Sequence, residues 1–416
     1  MEIEIGRGKK ARRAYGFDDI AIVPSRRTRD PDDVDISWKL GDYRFELPLL
    51  ASAMDGVVSP RTAGVIGKLG GLAVLNLEGI FARYEDADEQ LERIAGLPKE
   101  VATREMQDIY RAPIDEDLMV QRIREIKEQG VVTAASLTPQ RVMKYYEKVL
   151  EAGLDILVIQ GTVVSAEHVS QTTEPLNLKE FIADLPVPVV VGGCASYHTG
   201  LHLMRTGAAG VLVGVGPGAA CTTRGVLGIG VPQATAIADV AAARSQHMLE
   251  TGEYVRVIAD GGMRNGGDVS KAIACGADAV MIGSPLARAH EAPGRGFHWG
   301  MATFHPTLPR GARVATTQNG TLEEILVGPA RENDGTFNLM GGLRTSMATC
   351  GYQDIAEFNR AELMIAPSLQ TEGKQLQTSQ SVGMGSRGAA VAAHGPTGEP
   401  ATPDSVAEDK TPAGVA

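Results

Sequence analysis

The sequence predicts a (β/α)8 barrel, and three observations carry that prediction. Short apolar runs recur eight times before residue 284. The spacers between them are of helix length, as crossovers between parallel strands require. Several runs are apolar throughout instead of alternating, as strands covered on both faces must be. A doubly wound parallel sheet fits the same alternation, because strand order is not written in one sequence.

In chain order the expected strands are Leu47–Ala53, Gly71–Asn76, Val131–Leu137, Asp155–Gln160, Val187–Gly192, Gly210–Val215, Val255–Asp260 and Ala279–Gly283. Helical segments fall between them at Pro60–Leu69, Asp117–Gln129, Thr138–Ala152, Tyr197–Thr206, Ala234–Thr251 and Gly266–Cys275. The polar stretch from Glu78 to Glu125 exceeds one crossover and reads as a small helical elaboration. Residues 1–384 are therefore expected to form the barrel, including a long Pro-, Thr- and Gly-rich loop at about 297–320. From residue 385 to 416 the chain is Gly-, Ala- and Pro-rich without periodicity, the composition of a disordered tail.

At 416 residues the chain exceeds an average domain, yet one α/β barrel can take up most of it. A hydrophobic share of 43% supplies a large core, and a formal net charge of −11 argues against nucleic acid or an anionic membrane as partner. An anionic small molecule remains open, since backbone amides bind phosphate without a basic surface. Cys194, Cys221, Cys275 and Cys350 show no CxxC pairing, which points to reduced thiols in a cytoplasm. The start, Met1 to Gly6, lacks the order of a signal peptide, and no apolar run nears membrane-spanning length. The expectation is a soluble, cytoplasmic protein.

The chemistry concentrates at the ends of the last three expected strands. After the sixth comes Gly214-Val215-Gly216-Pro217-Gly218-Ala219-Ala220-Cys221-Thr222-Thr223-Arg224, a thiol on a glycine-rich loop with hydroxyls behind it. That setting suits nucleophilic chemistry better than packing. The seventh ends in Asp260-Gly261-Gly262, where a carboxylate can hold ribose hydroxyls and glycine amides can face phosphate. The eighth ends in Gly283-Ser284-Pro285, a second cradle of amide and hydroxyl. Each alone reads as an ordinary turn. At consecutive strand ends, where barrel enzymes bind phosphate, they point to a nucleoside monophosphate.

The remaining signals have bland readings. Cys194, Cys275 and Cys350 sit among apolar or glycine residues as small core fillers. His198 and His202 lie one helical turn apart without a third ligand and read as helix surface. The Gly214–Gly218 run fails the last glycine of a dinucleotide fingerprint, so a Rossmann site is rejected.

The chain resembles the IMP dehydrogenase/GMP reductase family of barrels, specifically its short bacterial branch. The resemblance rests on Phe17-Asp18-Asp19-Ile20 with Val23-Pro24, Ser52-Ala53-Met54-Asp55, the cysteine loop with Gly228-Ile229-Gly230-Val231-Pro232-Gln233, Ala259–Gly262, Met281–Ser284 and Gly341-Gly342-Leu343-Arg344-Thr345-Ser346-Met347. These run in order over roughly the first 365 residues. Gly79–Glu125 is too short for the paired CBS module that longer relatives insert there.

That resemblance implies an NAD-dependent oxidation of IMP to XMP. Cys221 would attack C2 of the purine, hydride would leave for NAD+, and water would hydrolyse the thioimidate. Thr223 would assist proton movement beside the sulfur. Ser52 and Met54 would meet the substrate, Met54 against the base, although a core methionine is the alternative. Asp260 would bind ribose, while Gly261, Gly262, Gly283 and Ser284 would bind phosphate. Met301 and Ala302 match a stretch whose backbone contacts the purine. Gln160 and Gly216 would belong to the dinucleotide site. Carbonyls of Gly216, Gly218 and Cys221 would encircle K+, and the assembly would be a homotetramer.

Four departures from the family pattern stand out. Ala219 replaces a phosphate-binding serine, His298 a phosphate-side tyrosine, and Gln160 an aspartate that touches the nicotinamide nucleotide. The flap is short, and its usual Arg-Tyr pair is not recognisable. Leu308-Pro309-Arg310-Gly311 places an arginine where GMP reductases keep a glutamate for proton transfer. With its pKa above ~12 an arginine is no ordinary base, but a desolvated one can orient water. Arg310, with Arg313 second, is thus the candidate for positioning the hydrolytic water, against a solvated loop arginine. NADPH-dependent GMP reductase and a barrel that binds purine nucleotides without turnover are the alternative functions.

Overall fold

The computed structural model describes residues 2–166, 176–300, 312–366 and 373–383. Eight parallel strands close into a barrel: β1 (Leu49–Ala51), β2 (Leu72–Asn76), β3 (Ala134–Leu137), β4 (Ile156–Gln160), β5 (Val189–Cys194), β6 (Gly210–Val213), β7 (Arg256–Asp260) and β8 (Ala279–Ile282). Each strand pairs with its neighbours in sequence, and β8 returns to β1 through Val280 opposite Leu49. Closure excludes the doubly wound sheet. The cores of the expected strands are right; most expected ranges ran long because flanking residues pack without joining the ladder, whereas the fifth starts two residues later and runs on to Cys194.

Helices on the outside make the crossovers: α1 (Pro60–Lys68), α2 (Glu116–Lys127), α3 (Val142–Glu151), α4 (Leu178–Ala183), α5 (Tyr197–Met204), α6 (Gln233–Thr251) and α7 (Gly266–Ala274). Several begin on side-chain caps that the sequence supplies. Ser59, Asp115, Ser196 and Asn265 each accept backbone N–H groups of the first turn, which have no partner inside the helix. α4 was not foreseen as a helix; it is six residues long and amphipathic only through Leu178, Phe181 and Ile182.

Between β2 and β3 the chain makes the expected helical elaboration, with helices Ala87–Gly96 and Lys99–Ile109 before α2 and no strand. No CBS module is evident there. After β8 the short ladder Phe297–His298 with Val314–Ala315 brings together the two legs of the long loop. Helix α8 (Leu339–Thr349) then packs on α7.

The chain divides into two units. The larger holds Met1–Arg331 and Gly335–Pro367 and contains the barrel. The smaller comprises Glu332–Asp334 with Ser368–Ala416; its described part includes the helix Gln375–Ser379 and a bond from the Gly383 amide to Asn333 Oδ1 at 3.0 Å. The tail expected at 385–416 lies outside the described residues. Among the described residues, no helix is long and apolar enough to cross a membrane.

Candidate active site

Barrel strands are buried along their length because helices cover one side and the barrel interior the other. On β4 and β7 the last residue breaks that rule: Gln160 and Asp260 are partly open. Both face a cavity of about 790 Å³ at the C-terminal ends of the strands. That lies within the range of pockets that enclose small ligands. Of the expected site residues, Ser52, Met54, Gln160, Gly216, Gly218, Cys221, Asp260, Gly261, Gly262, Gly283 and Ser284 all line it.

Exposure separates the four cysteines. Cys221 is exposed at the cavity, and the other three are buried. Burial pushes the Cys194 and Cys275 thiols up to about 12, which keeps them protonated and inert. The Cys221 thiol donates to Thr223 Oγ1 at 3.2 Å, and Thr223 is itself buried, beneath the loop instead of in the cavity wall. Arg224 fixes the loop from behind, donating to the carbonyls of Val215 at 3.3 Å and Val231 at 2.6 Å.

The loop follows the strand closely because Gly214 has no side chain. Its φ is +159°, and a Cβ there would lie 2.2 Å from the Asp260 carbonyl oxygen. Gln233 ties the same two strand ends, donating to the carbonyls of Val213 at 2.7 Å and Asp260 at 3.2 Å. This tether was not foreseen; Gln233 looked like the close of a sequence motif, and its role depends on a neighbour 27 residues away. Arg264, Thr138 and Gln140 also line the cavity without having been singled out, and Asp18, noted as part of a motif, joins them there.

Asp260 faces the cavity from within the barrel mouth, where burial pushes its carboxyl up to about 7 while a hydrogen bond from Gln160 acts the other way. Gln160 Nε2 makes that bond at 3.1 Å, and its Oε1 is buried without a hydrogen-bond partner. Gly261 departs from expectation in one detail. Its amide donates to the Met281 carbonyl at 3.0 Å and extends the β7–β8 pairing, so that N–H is already engaged within the protein. Gly283 lets Met54 pack close at the site, since a Cβ would lie 2.5 Å from Met54 Sδ and push that side chain aside. Met54 is therefore both a cavity wall and a residue packed on the core.

His298 does not line the cavity. It is 2% exposed, with Nε2 2.8 Å from Ser284 Oγ and Nδ1 2.7 Å from Thr316 Oγ1. The expectation of a direct phosphate contact is corrected accordingly: both ring nitrogens are engaged within the protein. Arg313 is likewise directed elsewhere. Its guanidinium donates to the carbonyls of Ile94 and Leu97 at the end of helix Ala87–Gly96 and stacks 4.1 Å from the Phe297 ring centroid. Met301, Ala302 and Arg310 lie outside the described residues.

His198 and His202 are exposed on α5, and no cluster of three or more His, Cys, Asp or Glu side chains that could hold a metal occurs among the described residues.

A profile of the IMP dehydrogenase / GMP reductase domain matches residues 14–376. The chain belongs to the IMP dehydrogenase/GMP reductase family. A Mycolicibacterium smegmatis protein named an uncharacterized oxidoreductase is 49% identical over 372 residues, covering 87% of this chain and 99% of that one. The inosine-5'-monophosphate dehydrogenase of Methanocaldococcus jannaschii is 27% identical over 489 residues, covering 87% and 95% of the two chains. A solved structure described as an IMP dehydrogenase/GMP reductase-like protein, from Corynebacterium glutamicum, superposes with a TM-score of 0.83 at 46% identity. The alignment covers 88% of this chain and 97% of that one. Family membership makes the chain an oxidoreductase-type barrel, and the cavity described here sits where the family's strand-end motifs converge.

Proposed function

We propose that this protein is an IMP dehydrogenase, converting IMP, NAD+ and water to XMP, NADH and a proton through a covalent intermediate on Cys221. The observation that carries the reading is the exposed Cys221 thiol, bonded to the buried Thr223 hydroxyl and facing the same cavity as Asp260. Sulfur adds to C2 of the purine, which becomes tetrahedral and electron-rich, so that hydride can leave. Water then attacks the thioimidate carbon, the C–S bond breaks, and the thiol is restored. Thr223 accepts the thiol proton's hydrogen bond before addition and donates to the sulfur afterwards.

Asp260 accepts the ribose hydroxyls, Ser52 and Met54 hold the base, and Gly262, Gly283 and Ser284 face the phosphate. In the same reading Met301 and Ala302 contact the purine through their backbone, and Arg310 orients the hydrolytic water. The cavity is large enough for more than one small ligand, and the unpartnered Gln160 Oε1 offers an acceptor beside the dinucleotide's end. NAD+, when bound, supplies the hydride acceptor. Gly216 and Gly218 lie at the cysteine turn, where Gly218 O accepts the Cys221 amide at 3.0 Å. Such hard oxygens suit K+, which would hold the loop's shape. A homotetramer in the cytoplasm completes the proposal.

Absorbance at NADH wavelengths tests it. Growth with IMP plus NAD+ is the expected result, together with a mass increase on Cys221 in quenched enzyme. Decay with GMP plus NADPH instead would make the protein a reductase, and silence in both would leave a binding protein.

A further inference from the structure

Thr316, His298 and Ser284 form one continuous hydrogen-bonded chain, with the imidazole in the middle and only Ser284 reaching the cavity. Burial pushes the His298 imidazole down to about 4, so the ring is neutral at ordinary pH and carries one proton. That single proton gives the chain two orientations. With hydrogen on Nε2, Thr316 donates to Nδ1, Nε2 donates to Ser284 Oγ, and the serine O–H is left to point at the cavity. With hydrogen on Nδ1, Ser284 gives its only proton to Nε2 and turns lone pairs outward. An anion at the strand end accepts a hydrogen bond from the first arrangement and is repelled by the second.

We propose that His298 is a positioning residue for phosphate recognition, acting with Thr316 to orient the Ser284 hydroxyl as a donor toward the substrate's phosphate. The inference rests on the purine-nucleotide reading and deepens it, because it assigns a role to a residue that touches no ligand. Thr316 gives the chain a second consequence. Its amide donates to the Gly296 carbonyl at 2.7 Å, beside the Phe297–His298 and Val314–Ala315 ladder that joins the flap's two legs. The phosphate-end serine and the root of the flap are thereby joined through one imidazole.

Binding of IMP and of inosine should be measured by calorimetry on the full-length protein and on His298→Phe, His298→Gln and Thr316→Val. A hydrogen bond to a charged group predicts that His298→Phe weakens IMP by about tenfold to a hundredfold, with inosine unchanged. Thr316→Val should weaken IMP less, and His298→Gln should restore part of the loss, because its amide can donate to Ser284. In 15N spectra of histidine-labelled protein, the Nε2-protonated form should dominate once ligand is bound. Equal losses for IMP and inosine, or no loss for either, would overturn the proposal. If the wild-type protein binds IMP no better than inosine, the nucleotide reading is at fault. Inorganic phosphate in the 15N experiment then decides the proposal, which fails if the Nδ1-protonated form persists.

Discussion

Gln160 and Asp260, on β4 and β7, meet across the mouth of the barrel with the amide donating to the carboxylate at 3.1 Å. Among the described residues no other side chain is bonded to that carboxylate, and burial raises it to about 7. The carboxylate must be ionised to accept two hydroxyls, so its titration should be visible in substrate capture.

For the wild-type protein kcat/KM for IMP should rise with pH through about 7, since this ratio reports groups of the free enzyme. Gln160 favours the ionised form. Gln160→Leu should therefore move the acid limb to higher pH, and Asp260→Asn should remove it. An acid limb at the same pH in Gln160→Leu would disprove the coupling.

Thr223→Val keeps shape and burial but takes away the acceptor of the Cys221 thiol. A loss in kcat of roughly 10- to 100-fold is expected, in the range of a mispositioned proton relay. Circular dichroism and thermal midpoint should stay close to the wild type. A variant that retains full kcat would show that the hydroxyl is merely structural.

Tyr110 sits in a buried network outside the cavity, where its hydroxyl donates to Asp55 and accepts from Trp299 Nε1 at 2.6 Å. Burial pushes Asp55 up to about 6 from 3.8, so the folded state prefers it protonated; that stabilising contribution is whole at low pH and disappears as pH rises through about 6. Tyr110→Phe removes a donor to the carboxylate and should cost about 1–3 kcal/mol in denaturant unfolding. The deficit should grow between about pH 5 and about pH 8, because the ionised carboxylate loses the stronger bond. A deficit independent of pH would count against this account.

Arg313 closes the end of helix Ala87–Gly96 and stacks on Phe297 at the flap root. Arg313→Met should destabilise by roughly 1–2 kcal/mol. Amide exchange should quicken in that helix and in the Phe297–Ala315 ladder. Failure of either segment to lose protection would show that the contact carries no stability.

Gly283→Ala forces a methyl group against Met54 Sδ, 2.5 Å from the ideal Cβ position. Met54 is a long side chain that can swing, so the fold should survive while the base-binding wall moves. KM for IMP should rise several-fold or more, a change measurable in ordinary steady-state assays. An unaltered KM would mean that Met54 does not hold the base.

Much of the site was legible because its parts are short motifs at strand ends. Asp260 ends an apolar run, Ser284 follows one closely and Cys221 sits on the glycine-rich loop after one, and the barrel rule alone brings the ends of those runs to one face. Arg313 and His298 were harder to read. Both sit near the ends of the flap loop, where spacing suggests nearness to the reaction, yet Arg313 is bonded to three backbone carbonyls and His298 is enclosed between two hydroxyls. Gln233 gave no signal of its own, since a glutamine opening a helix is common and its two carbonyl partners belong to different strands.

The amino-acid order by itself determined the alternation of strand and helix, the position of the reactive thiol and the buried state of the other cysteines. Those properties follow from local patterning, which folding preserves. The tertiary structure alone decided that the barrel closes, that Gln160 meets Asp260 and that His298 stands behind Ser284. Each of these joins groups far apart in the chain or hidden within a loop, and a hydrogen bond between them exists only once packing has fixed distance and direction together.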